Sequence, residues 1–120
     1  VVVCALPLTE ATEGILDARA FAAMPRGGYV VNVARGAHVV EPDLIDAVRS
    51  GHLAGAALDV QQHEPLPADH PLWEMPGITI TPHIAAQSSP HTIALQFVQG
   101  WRCLQRGEAP HNLVDRARGY

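Results

Sequence analysis

Short apolar runs and stretches of helical spacing alternate along the chain. Val1 to Leu6 is a continuous β-branched and apolar run, the pattern of a parallel strand covered on both faces. Pro7-Leu8-Thr9 stops it, and Thr9 and Thr12 are candidate helix starts. From Leu16 to Met24 the spacing is helical, with Leu16, Ala20, Phe21 and Met24 on one face. Pro25-Arg26-Gly27-Gly28 ends that helix. Tyr29 to Val33 is a second buried-strand run that breaks off in Ala34-Arg35-Gly36, a flexible glycine behind an arginine. Val39 to Val48 reads as a helix with Pro42 early and acids in its first turn, terminated by Gly51. Ala54 to Val60 is a third strand whose small residues predict a helix packed close above the sheet. Gln61 to Gly77 is a long excursion of Pro, His, Asp and Glu with Trp73, and Ile78 to Thr81 alternates as a fourth strand. Ser88 to Arg106 carries Ile93, Leu95, Phe97, Val98, Trp101 and Leu104 on a long helix, capped by Ser88 or Ser89.

Strand, helix, strand, helix, strand with short connections implies right-handed crossovers and a parallel sheet, so the fold class is α/β. No internal repeat or low-complexity segment interrupts it. A start inside a β-type run, without Met, reads as a cut through a larger protein, because domain boundaries favour polar linkers.

Composition narrows the function. The chain has 120 residues, a net charge of −4 and 48% hydrophobic content, which suits one globular domain. Its eight basic residues, all Arg, are scattered among twelve acids, so no basic stripe favours nucleic acid. No apolar run approaches the roughly 20 residues of a membrane span, and the start lacks the basic region of a signal peptide. A cytoplasmic protein is expected. Cys4 and Cys103 are too few for a disulfide framework and lack metal-ligand spacing, so both are expected reduced and packed.

Arg35, the Asp59/Glu64 pair and His83 all follow the carboxyl ends of expected strands. In a parallel sheet those ends share one rim, where ligands bind. Each residue alone has an ordinary reading: a surface arginine, a solvated loop acid, a hydrogen-bonded strand-end histidine. Together they suit a carboxylate held by a planar guanidinium beside an imidazole that moves a proton and a carboxylate that favours its charged form. His63, His70 and His83, with Glu64 or Asp69, could be drawn as zinc ligands, but no pair has the usual short spacing, so no metal is expected. His38, His52, His91 and His111 read as exposed or packing residues, and Trp73 and Trp101 as core or interface anchors.

Pro7-Leu8-Thr9, Asn32-Val33-Ala34-Arg35-Gly36, Asp59 followed by Glu64-Pro65-Leu66, and Thr81-Pro82-His83-Ile84-Ala85 resemble, in order and spacing, the successive signatures of D-isomer-specific 2-hydroxyacid dehydrogenases. His38-Val39-Val40-Glu41, Pro71-Leu72-Trp73 and the ending Val114 to Tyr120 look most like the glyoxylate/hydroxypyruvate reductase A branch. Gln61 departs from the family, in which an aromatic residue commonly sits two places after the aspartate.

The resemblance implies the C-terminal half of a Rossmann-type dinucleotide-binding domain over 1–107, with a long C-terminal helix, and a polar tail at 108–120 that contacts a substrate domain. It implies NAD(P)-dependent reduction of a small 2-keto acid such as glyoxylate or hydroxypyruvate, a homodimeric full-length enzyme, and a branch leaning to NADPH. Arg35 would bind the substrate carboxylate, His83 would protonate the keto oxygen and Glu64 would pair with His83. Asp59 would bond the nicotinamide carboxamide, while Pro7, Thr9, Ala34 and Ala85, with Arg35 and His83, would line the cofactor.

No Gly-x-Gly-x-x-Gly fingerprint occurs in the chain, so the isolated polypeptide is expected to bind NAD(P) poorly and turn over nothing. Val1 to Leu6 is then expected to be an associating sheet edge. Two other functions compete: a non-enzymatic dinucleotide sensor of the corepressor kind on the same fold, and a bare structural domain. Arg35, Glu64 and His83 occurring together favour the enzyme.

Overall fold

The computed structural model describes residues 1–120. Strands β1 (Val2–Cys4), β2 (Gly28–Asn32), β3 (Leu53–Leu58) and β4 (Ile78–Ile80) form one parallel sheet in that order. Helices α1 (Ala18–Ala23) and α2 (Glu41–Arg49) cross between the first three strands. The crossover from β3 to β4 is the excursion, whose regular element is a short 3-10 helix, Pro71–Trp73. The chain divides into two compact units, Val1–Ala85 and Ala86–Tyr120.

In the first unit the sheet and both helices share one core, in which Phe21 of α1 and Leu44 of α2 join Val30, Leu53, Ala56 and Leu58 of the strands. Leu66 and Leu72 enter the same cluster, so the excursion is pinned by two leucines although its backbone is irregular. Cys4 is buried as expected. In the second unit α3 (Pro90–Gln105) buries Cys103 and leaves Ile93, Phe97, Trp101 and Leu104 exposed.

Several local expectations are corrected. Thr9 and Thr12 do not start α1: the Thr9 N–H donates to Thr12 Oγ1 (2.8 Å) and that hydroxyl donates to the Pro7 carbonyl (2.7 Å). These side chains bond the backbone of a turn instead of opening a helix. The cap is Asp17, whose Oδ1 accepts the Ala20 N–H at 2.8 Å, and Asp43 Oδ2 takes the Ala18 N–H at the same distance. Leu16 precedes the helix and pairs with Val39 in an isolated parallel bridge, which also delays α2 to Glu41. Ser89 precedes α3, but its side chain makes no capping bond, and Pro90 occupies the first turn. Trp73 and Trp101 are about half exposed, not core residues.

Two glycines serve close approach. A Cβ on Gly55 would strike the Gly77 carbonyl, so this position of β3 admits the chain entering β4, while α2 packs against the strand as its small residues led one to expect. A Cβ on Gly36 would collide with the Gln61 carbonyl and approach the Gln62 nitrogen to 2.5 Å. Gly36 therefore lets the turn after β2 touch the turn after β3, a contact rather than the flexibility expected of it.

Candidate active site

The register fixes where the site residues emerge. Cys4 lies opposite Asn32, Asn32 opposite Leu58 and Leu58 opposite Ile80, so all four strands end in one row. The ladder runs one step further through Val33 N–H to Cys4 O (3.1 Å), Asp59 N–H to Asn32 O (3.0 Å) and Thr81 N–H to Leu58 O (3.0 Å). Ala34, Arg35, Asp59 and His83 leave from that carboxyl-end rim, as expected.

Asn32 shapes the arginine turn. It is fully buried, its amide donates to the Arg35 carbonyl (2.9 Å), and its Oδ1 accepts the Ala34 N–H (3.1 Å). The turn therefore satisfies its backbone through a side chain where no neighbouring strand can. The guanidinium of Arg35 is exposed, donates to the Ala34 carbonyl at 2.7 Å and pairs with no carboxylate.

Asp59 is 5% exposed and accepts from three donors: the Thr81 hydroxyl and the Ile84 N–H (2.9 Å) on Oδ1, and the Ala85 N–H (2.8 Å) on Oδ2. The Thr81 hydrogen bond, then the two backbone N–H groups and the nearby His83, hold its carboxyl below the usual carboxylate range against the opposing effect of burial. One carboxylate thus pins the segment that follows β4. That segment turns sharply: His83 has φ 54°, a left-handed conformation uncommon for a side-chain-bearing residue, and its N–H reaches the Asp59 carbonyl at 2.9 Å. The turn carries the imidazole to the excursion, where Nδ1 meets Glu64 Oε2 at 2.8 Å.

Glu64 is held in turn by the Gln61 N–H on Oε1 (3.0 Å). The His83 hydrogen bond first, and the Gln61 N–H second, lower its pKa, while partial burial and the charge of Asp59 oppose them. With Nδ1 bonded to a carboxylate, Nε2 is the ring nitrogen left to face a reactant. A cleft of about 470 Å³, lined by Glu64, Leu66, Trp73, Thr81 and His83 among others, opens against the pair. Arg35 is not among its lining residues; it shares the rim without touching the pair.

Sequence reasoning assigned no part to Thr81, Asn32 or Gln61. Asn32 was legible as the one polar residue in an apolar strand run. Gln61, the departure from the family pattern, is buried with its amide donating to the Leu58 carbonyl (3.1 Å), a bond a phenyl ring could not make. No group of three or more metal-ligating side chains occurs, so the structure offers the drawn zinc site nothing.

The residues fit a nicotinamide at this rim in one specific respect. Asp59 Oδ2 takes a single hydrogen bond and keeps acceptor capacity for an amide N–H such as that of a carboxamide. They offer no glycine-rich cradle for a pyrophosphate.

Comparison with known proteins agrees with this geometry. Residues 1–85 match the D-isomer specific 2-hydroxyacid dehydrogenase, NAD binding domain. Glyoxylate/hydroxypyruvate reductase A of Yersinia enterocolitica is 45% identical, and that of Serratia proteamaculans 47%, each over 96% of this chain. The chain spans 37% of the length of either relative. Among solved structures, a D-isomer specific 2-hydroxyacid dehydrogenase from Xanthobacter autotrophicus in complex with NADPH superposes with a TM-score of 0.95 at 48% identity, covering 99% of this chain and 50% of that one. An NADPH-dependent glyoxylate/hydroxypyruvate reductase from Sinorhizobium meliloti with bound NADP gives 0.91 at 36% identity, covering 98% of this chain and 39% of that one. With its strand ends, rim carboxylates and histidine in the order the signatures require, the chain belongs to the D-isomer specific 2-hydroxyacid dehydrogenase family, as part of its NAD-binding domain.

Proposed function

We propose that this chain forms the catalytic rim of an NAD(P)H-dependent reductase of small 2-keto acids such as glyoxylate or hydroxypyruvate. The observation that carries the reading is the Glu64–His83 pair on the rim that also holds the Asp59 carboxylate. NAD(P)H, when bound, would supply the hydride for reduction of the keto carbon. Asp59 would accept the carboxamide N–H through Oδ2, and Pro7, Thr9, Ala34 and Ala85, with Arg35 and His83, would line the cofactor. Arg35 seats the substrate carboxylate with the guanidinium donors left over from its Ala34 bond and polarises the keto oxygen. Glu64 keeps a proton on His83 Nδ1, and the imidazolium delivers the Nε2 proton to the keto oxygen as the carbon is reduced. The ring is left neutral and still bonded to Glu64.

The names of the relatives support both the substrate class and a preference for NADPH. The full-length protein is read as a cytoplasmic homodimer in which the tail at 108–120 contacts the substrate domain. No helix is long and apolar enough to cross a membrane, and eight basic residues among twelve acids do not favour a nucleic-acid partner. Arg35, Glu64 and His83 occurring together favour this reading over a non-enzymatic dinucleotide sensor on the same fold.

The test is His83→Gln in the full-length protein. Glyoxylate turnover falls by roughly 10²- to 10⁴-fold, the usual contribution of a positioned acid, while NADPH binding followed by fluorescence is retained. Turnover near wild type would overturn the assignment.

A further inference from the structure

His38 was expected to be an exposed or packing residue. It is fully buried, with both ring nitrogens bonded to the backbones of two different rim turns. Nδ1 lies 3.2 Å from the Arg35 nitrogen and 3.0 Å from the Arg35 carbonyl, and Nε2 lies 3.3 Å from the Pro7 carbonyl. Donor and acceptor accounting selects the tautomer. The Arg35 carbonyl already accepts from the Asn32 amide (2.9 Å) and the His38 N–H (3.2 Å), whereas the Arg35 N–H has Nδ1 as its partner. Nδ1 is therefore the acceptor, and the ring proton sits on Nε2, donated to Pro7.

This imidazole is the side-chain link between the turn after β1 and the turn after β2. Backbone bonds lace the same two segments further along, from Gly14 N–H to Ala37 O (2.8 Å) and from Leu16 N–H to His38 O (2.9 Å). We propose that His38 is a positioning residue: as a neutral ring protonated on Nε2, it fixes the carboxylate-binding Arg35 turn at a set distance from the Pro7–Thr9 turn that contacts the cofactor. The proposal rests on the roles given above to Arg35 and to Pro7–Thr9. It is separable from them because each ring nitrogen serves a different turn.

Two measurements on the full-length protein test it. Nitrogen-15 NMR of the His38 ring should show Nε2 protonated and Nδ1 bare; a protonated Nδ1, in the other tautomer or as imidazolium, overturns the proposal whether or not any variant folds. Asn at this position places an amide oxygen near the site of Nδ1 and loses the Pro7 bond, while Gln reaches the site of Nε2 and loses the Arg35 bond. His38→Asn should weaken NADPH binding about fivefold with a much smaller change in the keto-acid KM, and His38→Gln should raise that KM about fivefold with a much smaller change in NADPH binding, the larger factor being what one net hydrogen bond is worth. Equal shifts of both constants in both variants, or no shift in either, would mean a role in packing alone and overturn the proposal. Arg35→Gln in the same assays separates the underlying reading. An unchanged keto-acid KM there removes the carboxylate role of Arg35, while the ring tautomer and the NADPH shift of His38→Asn still decide the tie to Pro7.

Discussion

Asp59 and Glu64 are the rim carboxylates whose folded surroundings favour the charged form. Both are held below the ordinary carboxylate range, Asp59 first by the Thr81 hydroxyl and Glu64 first by His83. A depressed folded-state pKa means that the folded form binds fewer protons than the unfolded chain near about pH 4. The stabilisation is complete above the unfolded value and is lost as pH falls through the folded one. Asp59→Asn should therefore lower the urea midpoint at neutral pH and flatten its decline in acid, because the amide cannot accept all three donors. A midpoint that falls in acid as steeply as in the wild type would place the sensitivity elsewhere. Glu64→Gln in the full-length enzyme should lower kcat about 10- to 100-fold and leave the keto-acid KM nearly unchanged, since Glu64 acts through His83 and not on the substrate. Equal loss in kcat and rise in KM would instead indicate collapse of the excursion. Both residues were candidates from their strand-end positions before any coordinate. Their supports were not, because Thr81 and Gln61 act through hydrogen bonds that no periodicity records.

At the scale of elements, the strand positions were read closely because continuous apolar runs of this length suit parallel strands, although β1 is not covered on both faces as expected: Val2 and Val3 are exposed and only Cys4 is buried. Helix starts were misplaced where polar side chains found other backbone partners. Thr12 closes its own turn, and Asp43, in the first turn of α2 as expected, also takes the Ala18 N–H of α1. The contact at Gly36 was likewise invisible, since it joins the turn after β2 to the turn after β3. That contact is reinforced by buried Glu41, which accepts the Gln62 N–H (2.9 Å) and lies 3.4 Å from His70 Nε2. The Arg35 turn and the base of the Glu64 excursion thus behave as one piece. Gly36→Ala should destabilise the protein by roughly 1–3 kcal/mol, the cost of overpacking against backbone that cannot retreat. Chemical denaturation measures it, and a change within about 0.5 kcal/mol, typical of uncritical surface positions, would show that the turns separate freely.

For the molecule as a whole, no glycine-rich fingerprint for a pyrophosphate occurs in a chain that spans 37% of the length of the curated relatives, and the nicotinamide end of a cofactor site is the part proposed for this rim. The polypeptide alone should reduce no glyoxylate and bind NADPH far more weakly than the full-length protein. Calorimetry and a turnover assay check both, and robust turnover by the isolated chain would contradict the division of labour. The convergence of a guanidinium, a carboxylate and an imidazole on one rim was inferred from strand-end positions, and the register bears out that shared rim. A crystal structure of the full-length protein with NADPH and oxamate, an inert analogue of the keto acid, tests the central claim most directly. The expected result is Arg35 gripping the carboxylate through two hydrogen bonds, with His83 Nε2 within about 3.2 Å of the oxygen that stands for the keto group. A carboxylate bound away from Arg35, or an imidazole turned from that oxygen, would contradict it.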